Sequence, residues 1–156
     1  AYPFKGYWKD VGTVDSLLEA NLDLLEDPMP IDPADKSWRI YSRNPGMPPE
    51  YTAPGAQVHN ALVTEGCEVY GAVEHSVLFA GVKVEEGAKI EDAVVMPRVT
   101  VGRGSVVRRA IIAENAVIGA GCVIGAAEGG IAVVAQGAVL PAGTVVAPGE
   151  QYENRA

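Results

Sequence analysis

Val84-Glu85-Glu86-Gly87-Ala88-Lys89-Ile90-Glu91-Asp92-Ala93-Val94-Val95-Met96-Pro97-Arg98-Val99-Thr100-Val101 is the stretch that decides the fold. Aliphatic residues recur at Val84, Ile90, Val95 and Val101, and the two ends lie 17 residues apart. A helix repeats every ~3.6 residues and a strand every ~2, so steps of five and six fit neither element continued on its own. They fit short strands joined by tight corners, each strand sending one aliphatic side chain inward. Three such strands bring the chain back to its starting side, which predicts one turn of a three-sided tube.

The same step recurs on both sides. Val73, Ile90, Val107 and Ile124 advance in unison, as do Leu78, Val95 and Ile112, and as do Cys67, Val84, Val101 and Ile118. Val58 begins the first of these rows. A fixed repeat of this kind is the mark of a solenoid, with each coil stacked ~4.8 Å above the last by inter-coil hydrogen bonds. An ordinary β-sandwich has no constant repeat length. Gly87, Gly102, Gly104, Gly119 and Gly121 fall where the backbone must bend sharply. The pattern breaks at Ala126-Ala127-Glu128-Gly129-Gly130, predicting a protruding loop, and resumes at Val134, Leu140 and Val146. From Gly149 onward the expectation is a frayed or capping end. Cys67 is expected in an inward row with Cys122 three coils further on, roughly 14 Å away and beyond disulfide reach. Both read as small core residues.

Three regions are expected: 1–27, 28–54 and 55–156. In the first, Thr13 is suited to cap a helix, Asp15 favours its first turn, and Val14, Leu17, Leu18, Leu22 and Leu25 form an apolar stripe. The helix is expected to stop at Asp27-Pro28. Residues 28–54 are a Pro-rich linker whose apolar patch, Trp38, Ile40 and Tyr41, is expected to pack against a neighbour. The start at Ala1, followed at once by Tyr2, Phe4, Tyr7 and Trp8, reads as a fragment beginning inside a larger domain.

Composition excludes some functions. The 156 residues carry a net charge of −8 and no basic stripe, which argues against nucleic-acid binding. No apolar run is long enough to cross a bilayer, and no secretory leader is visible, so a soluble cytoplasmic protein is expected. Two cysteines without metal-ligand spacing give no metal centre.

Gly6-Tyr7-Trp8-Lys9-Asp10-Val11-Gly12-Thr13, Glu19-Ala20-Asn21-Leu22-Asp23-Leu24-Leu25 and Trp38-Arg39-Ile40-Tyr41 resemble bacterial glucose-1-phosphate adenylyltransferases. So do Glu65-Gly66-Cys67, Glu74-His75-Ser76-Val77-Leu78 and Val94-Val95-Met96-Pro97 in the coils. The resemblance implies a left-handed parallel β-helix of hexapeptide type and a role in making ADP-glucose from ATP and glucose 1-phosphate. It implies that Asp10 helps hold Mg²⁺ in the intact enzyme, with no cofactor required for folding. Tyr7 and Trp8 either line the sugar pocket or pack. The family's glycine-rich nucleotide loop, second metal carboxylate and sugar-phosphate lysine are not in this chain, so the chain alone is expected to be inactive. The missing nucleotide-binding domain or catalytic subunit is its expected partner, alongside a homo-oligomeric state.

Two polar columns flank the inward row: His59, Glu74, Glu91, Arg108 and Asn60, His75, Asp92, Arg109. Pairing of Arg108 with Glu91 and of Arg109 with Asp92 would make a surface ion-pair ladder. The resemblance adds a second reading, in which Arg108, Arg109 and Arg103 at a neighbouring corner bind a sugar-phosphate effector. Two other functions stand beside this one. The chain could be a non-catalytic regulatory subunit, or a stand-alone acyltransferase using His75 as general base.

Overall fold

A computed structural model of the chain describes residues 1–41 and 44–154; Ser42 and Arg43 of the linker, and Arg155 and Ala156, lie outside the described residues. The short aliphatic segments form parallel strands that wind into a β-helix with three faces. The first face stacks β1 (Tyr51–Thr52), β3 (Glu68–Val69), β5 (Lys83–Val84), β7 (Thr100–Val101), β9 (Val117–Ile118) and β12 (Val139–Leu140). Four longer strands, β2 (Gln57–Val63), β4 (Ala72–Leu78), β6 (Lys89–Val95) and β8 (Val106–Ile112), each bend in the middle and supply the other two faces. β10 (Val123–Ile124) and β13 (Val145–Val146) continue the second face; β11 (Ala132–Val134) and β14 (Gln151–Tyr152) continue the third.

The bends fall on Asn60, His75, Asp92 and Arg109, whose φ values are 42, 42, 49 and 43°. Sequence reading placed these four in a polar column but did not see that they form a corner. Left-handed backbone is ordinarily filled by glycine, with Asn, Asp and His the other residues most often found there. Three of the four are Asn, His and Asp, which was the one available signal.

The inward rows are as the spacing predicts. Val73, Ile90, Val107, Ile124 and Val146 line one face and Leu78, Val95, Ile112 and Val134 another, none more than 3% exposed. The remaining face differs from expectation: Val69, not Cys67, stands in line with Val84, Val101 and Ile118. The cause is coil length, because the step from Val69 to Val84 is 15 residues whereas the next two are 17. Cys67 is still a core residue at 1% exposure, in the turn ahead of β3, and Cys122 is fully buried; both are free thiols. The predicted loop is present and lengthens one coil, so that Ile124 meets Val146 across a step of 22.

Two buried hydroxyls complete the corners. Ser76 Oγ donates to Glu74 O at 2.7 Å and accepts from Ala93 N at 3.0 Å. Ser105 Oγ does the same between Gly119 O and Cys122 N, at 2.7 and 3.0 Å. The predicted capping end exists as well. β14 pairs with β11, and Asn154 Oδ1 accepts the Val139 N–H at 2.9 Å, while its amide donates to Gly137 O.

Helix α1 (Val14–Leu22) begins as predicted. Thr13 Oγ1 accepts from Ser16 N at 3.1 Å, and Ser16 Oγ accepts from Thr13 N at 3.0 Å. It ends earlier than Asp27, tightening into a 3-10 turn over Asp23–Leu25 before extending at Glu26. The helix lies outside the tube, on the third face. There Val94 and Ile111 point away from the inward rows, yet they are 0% and 4% exposed, because Leu18 of α1 closes over them with Ile131. Burying side chains of this size contributes ~1.5–3 kcal/mol each. The linker's apolar patch finds no such cover: Trp38, Ile40 and Tyr41 are 83, 56 and 85% exposed.

Candidate functional site

The segment ahead of α1 is held from two sides. The capping box fixes Thr13, while Asp23 at the far end of the helix accepts from Tyr7 Oη and from Lys9 Nζ, each at 2.7 Å. Lys9 also stands 3.4 Å from Glu19. Desolvation pushes the Asp23 carboxyl up, but the hydrogen bonds from Lys9 and Tyr7 outweigh it and hold the group below the usual carboxylate range. Donation to Asp23 raises the Tyr7 hydroxyl above its ordinary value, so it stays a neutral phenol.

Asp10 sits between these two anchors. One carboxylate oxygen accepts the Gly12 N–H at 3.2 Å, forming an Asx turn, and the side chain is solvent-exposed. Among the described residues no three His, Cys, Asp or Glu side chains gather as a metal site. Magnesium is commonly bound by one or two carboxylates together with phosphate oxygens and water. Asp10 therefore fits as one hard oxygen ligand, provided phosphates and a second acid come from elsewhere. Tyr7 is committed to Asp23, and Trp8 is 76% exposed beside it. Phe4, Tyr7, Pro30, Ile31, Trp38 and Ile40 share the wall of an open, mainly apolar hollow.

The arginines divide differently from the sequence expectation. Arg108 pairs with Glu91 at 2.9 Å, as predicted. Arg109 does not meet Asp92: its Nε donates to Gly129 O at 3.1 Å, in the inserted loop. Asp92 is taken by His75, whose Nδ1 lies 2.5 Å from its carboxylate. The inserted loop accounts for the exchange, since it brings the Gly129 carbonyl within reach of Arg109. Arg103 lies at a different corner, paired with Glu86 at 2.9 Å, so the structure does not bring it together with Arg108 and Arg109. His59 stands 3.9 Å from Glu74.

Residues 50–130 match the family described as GlmU-like, C-terminal hexapeptide. The chain belongs to this family. The chain is also similar to named enzymes. It is 59% identical over 91 residues to the glucose-1-phosphate adenylyltransferase of Geobacillus stearothermophilus, which covers 58% of this chain and 24% of that protein. The enzymes of the same name from Bacillus mycoides (strain KBAB4) and Bacillus cereus (strain ATCC 10987 / NRS 248) are each 59% identical over 90 residues, with the same coverage. The match thus spans about a quarter of the length of these relatives. No described helix is long and apolar enough to cross a membrane.

Proposed function

We propose that this chain is the regulatory and assembly domain of a cytoplasmic glucose-1-phosphate adenylyltransferase, which forms ADP-glucose and diphosphate from ATP and glucose 1-phosphate for glycogen synthesis. The observation that carries this reading is the 59% identity to adenylyltransferases along 91 residues. The chain contributes Asp10 as one ligand to magnesium, with Tyr7 and Trp8 beside the sugar. A nucleotide-binding domain supplies the remaining machinery, and without it the chain is inactive. Magnesium, when bound, disperses the negative charge gathered during nucleotidyl transfer. The residues of this chain do the rest by placement: the Asx turn aims the Asp10 carboxylate, and the exposed Trp8, Trp38 and Tyr41 offer apolar area to the missing domain.

In the same reading Arg108 and Arg109 receive a sugar-phosphate effector. Support comes from Arg109, which holds only a backbone carbonyl among the described residues and keeps the rest of its guanidinium fork for an anion. Arg103 contributes to the same effector only if the partner domain bridges the two corners. Self-association is proposed through outward Val117, Val123, Val139 and Val145, which are 42–68% exposed on the two faces that meet at one corner.

The test supplies the nucleotide-binding domain as a separate chain and measures ADP-glucose synthesis with native Asp10 and with Asp10→Ala. The expected result is synthesis that needs both chains and collapses in the variant. Equal rates with and without this chain would end the assignment. The close contact between His75 and Asp92 supports a second reading, a stand-alone acyltransferase. Protection of His75 from chemical modification by acetyl-CoA would favour it over the first.

A further inference from the structure

We infer that Asp23 and Lys9 are positioning residues that fasten the Asp10 segment to the coils by way of α1. The inference rests on the reading of Asp10 given above, and the geometry that carries it is independent of any ligand. Asp23 occupies the C-terminal end of α1, and no basic residue stands in that helix's last turn. A carboxylate there faces the negative end of the helix dipole, an unfavourable place for it. What offsets this is the double contact from Lys9 Nζ and Tyr7 Oη, both at 2.7 Å. Neither Lys9 nor Asp23 is freely solvated, their side chains being 25% and 19% exposed.

The contacts form a continuous chain. Leu18 is 3% exposed against Val94 and Ile111 and docks α1 on the coils. Asp23 and Glu19 on that helix hold Lys9, the residue next to Asp10. Gly12 and Thr13 hold Asp10 from the other side, through the Asx turn and the capping box. The Asp10 carboxylate is therefore positioned by the β-helix, with no hydrogen bond joining the two among the described residues. Groups hydrogen-bonded directly to a metal ligand change metal affinity about 10–100-fold when removed, and Asp23 and Lys9, which act one step further from Asp10, should stand at the low end of that range.

The test has two arms. In the free chain, hydrogen–deuterium exchange is followed in wild type, Asp23→Ala and Lys9→Arg. Exchange of residues 7–12 is expected to rise severalfold in Asp23→Ala, to stay near wild type in Lys9→Arg, and to be unchanged in β4, β6 and β8. In the complex with the separately supplied nucleotide-binding domain, the Mg²⁺ concentration for half-maximal synthesis is expected to rise about tenfold in Asp23→Ala. The rate at saturating Mg²⁺ should fall much less, and Lys9→Arg should keep the wild-type dependence. Unchanged exchange at residues 7–12, or an active complex with an unaltered Mg²⁺ dependence, would overturn the inference. A wild-type complex without activity would instead remove the functional reading, and the exchange arm would still decide whether the clamp exists.

Discussion

Met47 lies so close over Gly66 that a Cβ built on the glycine would stand 2.5 Å from the methionine sulfur. Gly66 also has φ +74°, and its N–H donates to Pro48 O at 2.7 Å. The linker is thus strapped to the first coils by a side chain that needs a bare backbone beneath it.

Gly66→Ala should therefore cost more than the same replacement at a positive-φ glycine with open space around it. At Gly104, φ is +68° but nothing lies within 4 Å of an added Cβ. Gly104→Ala should lose ~1–2 kcal/mol from backbone strain alone. Gly66→Ala should lose a further ~1–3 kcal/mol from crowding. Urea unfolding of both variants, repeated in a Met47→Ala background, checks this. The excess at Gly66 should vanish once the methionine is shortened, and its persistence would show that the strap is not the cause.

Leu18→Ala should weaken the docking of α1 by ~2–5 kcal/mol, because the leucine is the helix's one fully buried residue. The coils should keep their own stability, since the inward rows do not include it. Amide exchange should accelerate in α1 while strands β4, β6 and β8 stay protected. Loss of protection in all of them together would mean that helix and coils unfold as one unit.

Ser105→Ala should cost ~1–3 kcal/mol, because it strands the buried Cys122 N–H and the Gly119 carbonyl at once. Chemical denaturation measures it. A neutral outcome would indicate that water or a backbone shift satisfies both groups.

The Asp23 carboxyl binds fewer protons folded than unfolded, so its contribution is complete above the ordinary Asp value of ~3.9 and fades as pH falls through its lower folded value. A carboxyl-carbon NMR titration should find its midpoint depressed, and Lys9→Met should move that midpoint upward. Identical midpoints would rule out Lys9 as a source of the depression.

Cys67 is held above the usual thiol range by burial, and it donates to Phe79 O at 3.2 Å. Alkylation of Cys67 at neutral pH should therefore follow global unfolding, with the same denaturant midpoint as the loss of circular dichroism. Labelling well before that transition would show local opening at its turn.

The periodic core was readable in the sequence because inward residues in a solenoid carry one constraint, repeated. Val73, Ile90, Val107 and Ile124 proclaim it. The first coil was misread at Cys67 because two missing residues shift one face, and a small apolar residue two positions before Val69 satisfies the same rule. The docking of α1 was half visible. Its leucine stripe was plain, but its target lay in Val94 and Ile111, which look like ordinary strand residues until one asks why an outward position is apolar. The Asp10 segment was singled out by resemblance alone, whereas its tether to Asp23 could not be seen, since nothing in linear spacing joins residues 9 and 23. Arg109 was misassigned because a ladder argument counts neighbours one coil away and ignores what an inserted loop brings to the edge.

That inserted loop has a practical side. The coil holding Gly125–Ile131 is five residues longer than its predecessor, yet Ile124 and Val146 still meet face to face and Ile112 still meets Val134. Length at this corner is uncoupled from the pitch of the tube. A foreign peptide grafted at Ala127-Glu128 would be displayed on a stiff mast, its two ends already held at the spacing the host requires.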